Sequence, residues 1–372
     1  MSPDSPQIYS KPRIGNAQYR LLEQLCNACA VSGDEAEVRA IVLKQVESLA
    51  EEVKVDPLGN VLVTKPGRNT RRTRGGRLRV MLAAHMDEIG FMLTHDEGKG
   101  LFRFDTVGGI DVRQVVGKPV WVGKDHIPGV IGAKPIHLTT VKERQSTISL
   151  DALRIDIGTA GNSKIKVGDR ATFATRYARI GPSIRAKALD DRLGVATLIE
   201  LVKHAPENID FLAAFTVQEE VGLRGAQVAA YAFEPDLAIA IDSTPAFDLP
   251  SWESEEDEAG ENSRYNTRLD GGPAIYLADG ATLSDPRLVR HLVESAEVSD
   301  IPYQIRQPGG GGTEAGAIHR SRAGVPSVSV SIPGRYAHTP AGIARISDWK
   351  NTLALLHTAL ANLTPDVLSV ER

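Results

Sequence analysis

Four apolar segments of this 372-residue chain each end near a polar side chain, and this repeated feature constrains the fold most strongly. Each segment is short and nearly continuous, as expected of a strand buried on both faces of a sheet. The segments are residues 78–84 before His85, 211–217 before residues 218–220, 237–241 before Asp242, and 325–332 before the loop with His338. Open α/β sheets bind ligands beyond the carboxyl ends of their strands, so we expect these polar residues to meet at one sheet edge.

Helical patterns separate the predicted strands. Residues 192–204 carry apolar side chains at helical spacing, and residues 286–296 follow Asp285, a typical N-cap residue. Two further helices are predicted over residues 17–30 and 34–50, with Gly33 between them. Strands that alternate with helices predict an α/β fold, in which a mostly parallel or mixed sheet is flanked by helices.

Residues 91–184 have a different composition, with short β-rich pieces split by turns such as Gly108-Gly109 and Pro128-Gly129. We interpret this segment as a small β-rich domain inserted into the α/β domain, which then consists of residues 16–90 and 185–372. Residues 1–15 are polar and rich in Pro and Ser, and are predicted to form a loosely attached tail.

Bulk properties exclude several classes of protein. The net charge is -4 with acidic and basic residues interspersed, so no basic surface for nucleic acid is predicted. No apolar run reaches the roughly 18 residues of a membrane span, and the first residues lack the pattern of a secretion signal. We therefore expect a cytoplasmic protein that acts on a small molecule or peptide. Cys26 and Cys29 form one C-x-x-C pair in a helical pattern, and we expect them to be buried, reduced and structural.

Five separate segments supply carboxylate and imidazole side chains, at residues 85–88, 190–191, 219–220, 242 and 338. Divalent cations prefer such oxygen and nitrogen donors, and none of these segments supplies a thiolate. A pair of cations needs about five or six protein ligands and an adjacent base, and the five segments offer that number. They therefore predict a two-metal hydrolase, although Asp190 and Asp191 taken alone would also fit a helix N-cap.

Local patterns suggest roles for several of these side chains. Asp87 lies two residues after His85 and can hold the imidazole ring while the ring binds a metal ion. Glu219 and Glu220 repel each other unless a cation lies beside them, so one is expected to bind metal while its neighbour accepts a proton from water. Asp242 at the end of a buried strand needs a cationic partner.

Taken together, the motifs resemble those of the tetrahedral, or deblocking and glutamyl, aminopeptidase family of cocatalytic metallopeptidases. The resemblance covers nearly the whole chain from about residue 18, with the motifs in the same order, and includes a Gly-rich segment around Thr313. The matching motifs are AHMDEIG at residues 84–90, KALDDR at 187–192, QEEVG at 218–222, Asp242, and YAHTP at 336–340.

The resemblance implies two divalent cations per subunit, with zinc or cobalt as the expected metals. Asp190 would bridge the two ions. His85 and Asp242 would complete one site, and Glu220 and His338 would complete the other.

The same resemblance implies that Glu219 is the general base and that Asp87 orients His85. The implied reaction is hydrolysis of the peptide bond after the N-terminal residue of a peptide. The β-rich insertion is implied to be a dimerisation domain, and family members commonly build dimers into tetrahedral dodecamers. A homo-oligomer is therefore expected, without nucleic acid or membrane as a partner.

Two alternatives would use the same residues. A related di-metal carboxypeptidase, aminoacylase or deacylase would apply the same ligand set to another amide. A binding protein or scaffold, from a different functional class, would keep the fold without catalysis. A glycosidase is disfavoured, because adjacent acids that share a metal site do not lie on both sides of a sugar bond.

Other polar features are interpreted without a catalytic role. The acidic stretch over residues 253–261 is expected to be a solvated loop, His319 to pack on a helix, and Arg335 to be exposed. The remaining histidines have no acidic partner in the sequence pattern and are expected to be structural or on the surface; they are His95, His126, His137, His204, His291 and His357.

Overall fold

The structure is a computed structural model that describes residues 12–68, 76–158, 164–249, 267–369 and 371. Most of the predicted tail and all of the acidic stretch over residues 253–261 lie outside the described residues. The strands are β1 Glu52–Val55, β2 Val61–Lys65, β3 Arg79–His85, β4 Gly90–Gly98, β5 Leu101–Val107, β6 Pro119–Val122, β7 Ile127–Gly132, β8 Arg154–Asp156, β9 Arg170–Phe173, β10 Ala178–Ile180, β11 Ser183–Ala186, β12 Asp210–Thr216, β13 Leu237–Pro245, β14 Ala274–Tyr276, β15 Gln304–Arg306, β16 Ser327–Arg335 and β17 Gly342–Arg345.

Helices of four to 16 residues connect these strands. None of the described helices is long and apolar enough to cross a bilayer. They are α1 Asn16–Asn27, α2 Ala36–Val46, α3 Val141–Arg144, α4 Leu189–Lys203, α5 Arg224–Phe233, α6 Pro286–Val298, α7 Ala315–Ile318, α8 Ile346–Ala361 and α9 Asp366–Ser369.

The large sheet is mixed, with the strand order β1-β2-β12-β3-β13-β16-β17-β11-β10, with β14 beside β16 and with β15 beside β14. Its four central strands β12, β3, β13 and β16 run parallel. The strands outside them, β2 and β17, are antiparallel to their neighbours. The carboxyl ends of the four central strands therefore lie at one edge, as the alternation of strands and helices predicts.

Helices cover both faces of this sheet, and β3 shows why the sequence requires it. Val80, Leu82 and Ala84 belong to a core that also contains buried side chains of α1, α2, α4, α6 and α8. Met81 and Ala83 point the other way, into a smaller core with α5 and α7. Because successive side chains of a strand alternate between faces, a continuous apolar strand needs a cover on each side. The predicted α/β class is confirmed.

The segment between β3 and α4 contains a closed six-stranded barrel with the order β4-β5-β8-β7-β6-β9. Its own core includes Phe91, Phe104 and Phe173, and the ring of Phe91 makes edge contacts with the other two at 5.2 Å each. The barrel strands run from Gly90 to Phe173, whereas β10 and β11 join the large sheet through β17. A separate β-rich unit inside the α/β domain is therefore present, as predicted.

The two cysteines differ in their surroundings. Cys26 lies in α1 and is buried, whereas Cys29 lies beyond the helix end and is only partly buried. Both thiols are free, but the expectation that both are buried is wrong for Cys29, because the helix ends before it.

A buried ion network joins the barrel to the α/β domain. Glu88 accepts hydrogen bonds from Lys187 Nζ at 2.7 and 2.8 Å, from the Ala30 N–H at 3.0 Å and from Thr172 Oγ1 in β9 at 2.9 Å. Arg192 lies 3.4 Å from the same carboxylate, and none of the three charged side chains is more than 3% exposed. Burial opposes ionisation, but the charges of Lys187 and Arg192 hold the pKa of Glu88 below its ordinary value.

Removing one charge from this network is expected to destabilise the fold strongly. Lys187→Met leaves the Glu88 carboxylate buried without its closest cation, which typically costs about 3–5 kcal/mol of unfolding free energy. Denaturant unfolding followed by circular dichroism measures this loss. The control is Lys134→Met, which breaks the exposed Lys134–Glu143 pair at 3.0 Å and is expected to change stability little. Equal unfolding midpoints for the two variants would contradict a stabilising role for the network.

Candidate metal centre and catalytic cleft

The parallel strands place most of the predicted side chains at one edge of the large sheet. His85 ends β3 and is in register with Thr216, the last residue of β12. The glutamates at 219 and 220 follow β12, and the histidine at 338 follows β16. The sequence predicts Asp242 at the end of its strand, but β13 continues to Pro245, because residues 243–245 pair with residues 332–334 of β16.

The two aspartates at the start of α4 have different environments. Both have non-helical backbone angles although they lie within the helix bounds, and the peptide bond between them is cis. Asp191 accepts a hydrogen bond from the Gly194 N–H at 3.0 Å, which is the contact expected of a capping residue. The Asp190 carboxylate instead faces His85 and His338. The N-cap interpretation therefore applies to Asp191 and not to Asp190.

Asp190 lies between two histidines and presents one carboxylate oxygen to each. Its Oδ1 is 3.2 Å from His85 Nε2, and its Oδ2 is 3.4 Å from His338 Nε2. Asp242 Oδ1 is 3.8 Å from His85 Nε2, while Glu220 Oε2 is 3.3 Å from His338 Nε2. The contacts form two groups that share Asp190.

The spacing of donor atoms also allows a second grouping. Donor atoms of His85, Asp190 and Glu220 lie within 4.8 Å of one another, as do those of His85, Glu219 and Asp242. These sets omit the histidine at 338, whose side chain is 43% exposed at the edge of the cleft. We favour the grouping around the two histidines, because the direct contacts of 3.3 and 3.4 Å join the outer histidine to two of the acids.

Asp87 supports this centre from behind. Its oxygens accept the N–H groups of Glu219 at 3.0 Å and Glu220 at 3.2 Å, and the Ser32 hydroxyl donates to Oδ2 at 2.6 Å. Oδ1 lies 3.5 Å from His85 Nδ1, whereas the Asp87 carbonyl oxygen is 3.2 Å from the same nitrogen. Asp87 thus holds the backbone of the glutamate pair as well as facing the imidazole. The contact of Ser32 with Asp87 was not predicted, because in the sequence Ser32 indicates only a break between two helices.

The barrel also contributes to the centre. His338 Nδ1 lies 3.0 Å from the carbonyl oxygen of Gly109, just beyond β5. A Cβ atom on Gly109 would lie 3.1 Å from that nitrogen, and one on Gly108 would lie 2.7 Å from Ile89 and 3.3 Å from Glu220. Two glycines therefore allow close approach of the barrel backbone. In the sequence they indicate only a turn, because glycine carries no side-chain chemistry.

Burial and mutual repulsion shift the ionisation of the acids. Burial, with the charges of neighbouring carboxylates, raises the pKa of Glu219 and of Asp242 well above their ordinary values, and raises the pKa of Glu220 to about 7. The hydrogen bond to Asp190 raises the pKa of His338 to about 9. Burial opposes ionisation of Asp190, but hydrogen bonds with the two histidines hold its pKa below the usual value.

This donor set fits divalent cations. Four acids and two histidines converge in a largely buried site, so the carboxylates outnumber the groups that can neutralise them. Cations beside the carboxylates would offset the repulsion that raises their pKa values. Oxygen and imidazole donors suit zinc and similar first-row ions.

A cleft of about 440 Å³ opens beside these residues. Its wall includes Arg306, which is buried, donates to Thr244 Oγ1 at 3.1 Å and lies 4.2 Å from the centre of the Tyr276 ring. Sequence reasoning did not single out Arg306, because an isolated arginine has no distinguishing pattern. Arg335 was expected to be exposed, but it is partly buried and donates to Asp248 Oδ1 at 2.7 Å.

Two other histidines test the sequence interpretation. His319 follows α7, and its Nδ1 lies 2.9 Å from the carbonyl oxygen of Ala315, as expected for helical packing. His126 was expected to be structural or on the surface, without an acidic partner in the sequence pattern, and in the fold its Nε2 lies 2.5 Å from Glu37 Oε1. The two residues are far apart in the sequence, so only the fold brings them together.

The sequence model of the M42 glutamyl aminopeptidase family matches residues 59–355. The chain belongs to the M42 glutamyl aminopeptidase family. The lysyl aminopeptidase of Pyrococcus furiosus is 30% identical to this M42 chain over 359 residues, which cover 93% of the chain and 98% of the relative. A TET aminopeptidase from a marine sediment archaeon of the Thaumarchaeota is 31% identical, with a TM-score of 0.87 and coverage of 95% and 99% of the two chains.

A further solved structure is the TET1 peptidase of Pyrococcus horikoshii, described as able to assemble into a tetrahedron or a large octahedral shell. It is 31% identical to this M42 chain, with a TM-score of 0.78 and coverage of 93% and 100% of the two chains. The predicted family is confirmed, and this M42 member is a peptidase of the aminopeptidase class. M42 peptidases are metal-dependent, in agreement with the donor set of the cleft.

Proposed function

We propose that the protein is a dinuclear metal-dependent aminopeptidase that removes the N-terminal residue from peptides. The main support is the position of Asp190 between two histidines that have separate carboxylate partners. His85 and Asp242 would hold one cation with Asp190, and Glu220 and His338 would hold the other with the same aspartate. Zinc or cobalt is the expected metal, because both accept oxygen and imidazole ligands.

When bound, the two cations would polarise the carbonyl of the scissile bond and lower the pKa of water. Glu219 accepts a proton from the attacking water and later returns it to the leaving amine. Its side chain lines the cleft, and burial raises its pKa well above the ordinary value of a glutamate. The hydrogen bond from the Glu219 backbone N–H to Asp87 holds the backbone from which this side chain extends.

Replacement of the proposed base separates metal binding from catalysis. Glu219→Gln is expected to retain the metal content of the wild type but to lose about 10²–10⁴-fold in turnover of aminoacyl chromogenic substrates. The matched control is Glu294→Gln, an exposed position on α6 that is expected to leave both quantities unchanged. Full activity of Glu219→Gln would remove this residue from its proposed role. A folded wild type that takes up no metal would instead favour the scaffold alternative.

A second experiment tests whether the protein cleaves peptides at their amino terminus. A carboxypeptidase, aminoacylase or deacylase would use the same ligands, whereas the name of the Pyrococcus furiosus relative indicates action at an amino terminus. We expect hydrolysis of a peptide with a free amino group and no detectable hydrolysis of the same peptide after N-acetylation. Mass spectrometry of the products identifies the bond cut. Equal rates on both peptides would exclude the proposed aminopeptidase in favour of a carboxypeptidase, and cleavage of the acetylated peptide alone would favour a deacylase or an aminoacylase.

We also propose that the protein forms a homo-oligomer through the inserted domain. The connection between β7 and β8 exposes three apolar side chains, Ile136 at 70%, Leu138 at 60% and Val141 at 62%. Such exposed apolar patches commonly mark interfaces between proteins. The tetrahedron described for the Pyrococcus horikoshii relative supports a second copy of this chain as the partner. As the family resemblance implies, dimers would combine into a tetrahedral dodecamer.

A charge in this patch is expected to disrupt the assembly. Leu138→Glu should lower the mass measured by light scattering after size-exclusion chromatography, because a buried charge in an interface is costly. The control is Val298→Glu at the end of α6, which is 85% exposed and lies on the α/β domain. An unchanged assembly in Leu138→Glu would exclude this patch as the interface.

A further inference from the structure

A second cluster of metal-ligand types lies where the barrel meets the first two helices. Cys29 follows α1, Glu37 lies in α2, and His126 lies in the turn between β6 and β7. One donor atom from each residue lies within 4.8 Å of the other two. None of the three residues belongs to the candidate catalytic groups, so this Cys29 cluster is a separate feature.

The side chains of the Cys29 cluster are already held towards one another. Glu37 Oε2 accepts the Cys29 N–H at 2.9 Å, and Glu37 Oε1 lies 2.5 Å from His126 Nε2. All three residues are partly buried. A tetrahedral zinc ion with bonds of about 2.0–2.3 Å would hold its ligand atoms about 3.3–3.8 Å apart. Completion of the site would therefore need donor atoms that lie up to 4.8 Å apart to move closer, and Glu37 Oε1 and His126 Nε2 to separate by about 1 Å.

We propose that the Cys29 cluster binds one zinc ion that links the inserted barrel to the α/β domain. Thiolate, imidazole and carboxylate are the ligand types that zinc accepts. A cleft of about 200 Å³ lies beside Cys29 and Glu37 and is also lined by Trp121 and Lys124. It has room for a water molecule as the fourth ligand.

The proton balance of this step is simple. Burial raises the pKa of the Cys29 thiol to about 12, so the free protein carries a protonated sulfur. Zinc binding replaces the S–H bond by an S–Zn bond, and the thiol proton passes to solvent. The hydrogen between His126 Nε2 and Glu37 Oε1 also leaves this contact, by transfer to His126 Nδ1 or to solvent, so that Nε2 can bind the ion. No oxidation or reduction takes place.

The location gives the ion a structural role. Next to Cys29, the Ala30 N–H donates to Glu88 at 3.0 Å, and the Ser32 hydroxyl donates to Asp87 at 2.6 Å. The segment that carries the thiol therefore also supports the catalytic centre. An ion held by Cys29 and His126 would join this segment directly to the barrel.

Cobalt distinguishes the Cys29 cluster from the catalytic centre. The catalytic ligands include no sulfur, so a thiolate-to-cobalt charge-transfer band in the near ultraviolet reports only a cysteine ligand. The test is a titration of the metal-depleted full-length protein with Co²⁺ under anaerobic conditions. The expected result is uptake of about three ions per chain, one of which produces the band. A folded wild type without the band would overturn the proposal.

Matched variants identify the ligands. Cys29→Ser and His126→Gln should each remove the band and reduce uptake by one ion, whereas Cys26→Ala and His95→Gln should leave both unchanged. Cys26 is the buried neighbouring thiol, and His95 is exposed on β4 of the same barrel. Persistence of the band in Cys29→Ser would overturn the proposal. If the proposed catalytic centre is wrong, cobalt uptake falls but the band persists, so the two failures are distinguishable.

Discussion

The buried carboxylate of Glu88 is the contact on which the arrangement of the molecule depends. It lies just beyond β3 and receives hydrogen bonds from Lys187, before α4, from Ala30, between α1 and α2, and from Thr172 in the barrel. These four parts of the chain also carry or support the side chains of the candidate metal centre. Because a buried charge must be neutralised, the ion pairs hold the end of β3 against the start of α4. The hydrogen bond from Thr172 links this pair of elements to the barrel.

The proposed catalytic centre concentrates like charges that the fold must hold together. Glu219, Glu220 and Asp242 all have raised pKa values, which shows that burial and mutual repulsion disfavour their ionised forms. Asp87 opposes this tendency by holding the backbone of the glutamate pair through two N–H groups. The carbonyl oxygen of Gly109 holds the outer histidine from the barrel side. The protein therefore supports the centre from both domains, and cations would supply the remaining compensation.

Hydrophobic runs and acid pairs allowed much of the fold and of the candidate centre to be predicted. The apolar runs before His85 and before residue 219 are strands, and the composition change after residue 90 marks a separate β-rich unit. The position of Asp242 within β13 was not predictable, because strand length depends on pairing with β16. Ser32 and Gly109 were missed, since their contributions come from a hydroxyl and a backbone carbonyl without any distinctive spacing.

Sequence by itself determined the fold class, the family and the set of side chains available for chemistry, because periodicity and residue type are local properties. Tertiary structure decided which of these side chains meet. Asp190 and Asp191 are adjacent and chemically identical, yet one faces two histidines and the other caps a helix. His126 and Glu37 come together only because the barrel packs against α2. Contacts between distant residues depend on the packing of whole elements, which no local pattern encodes.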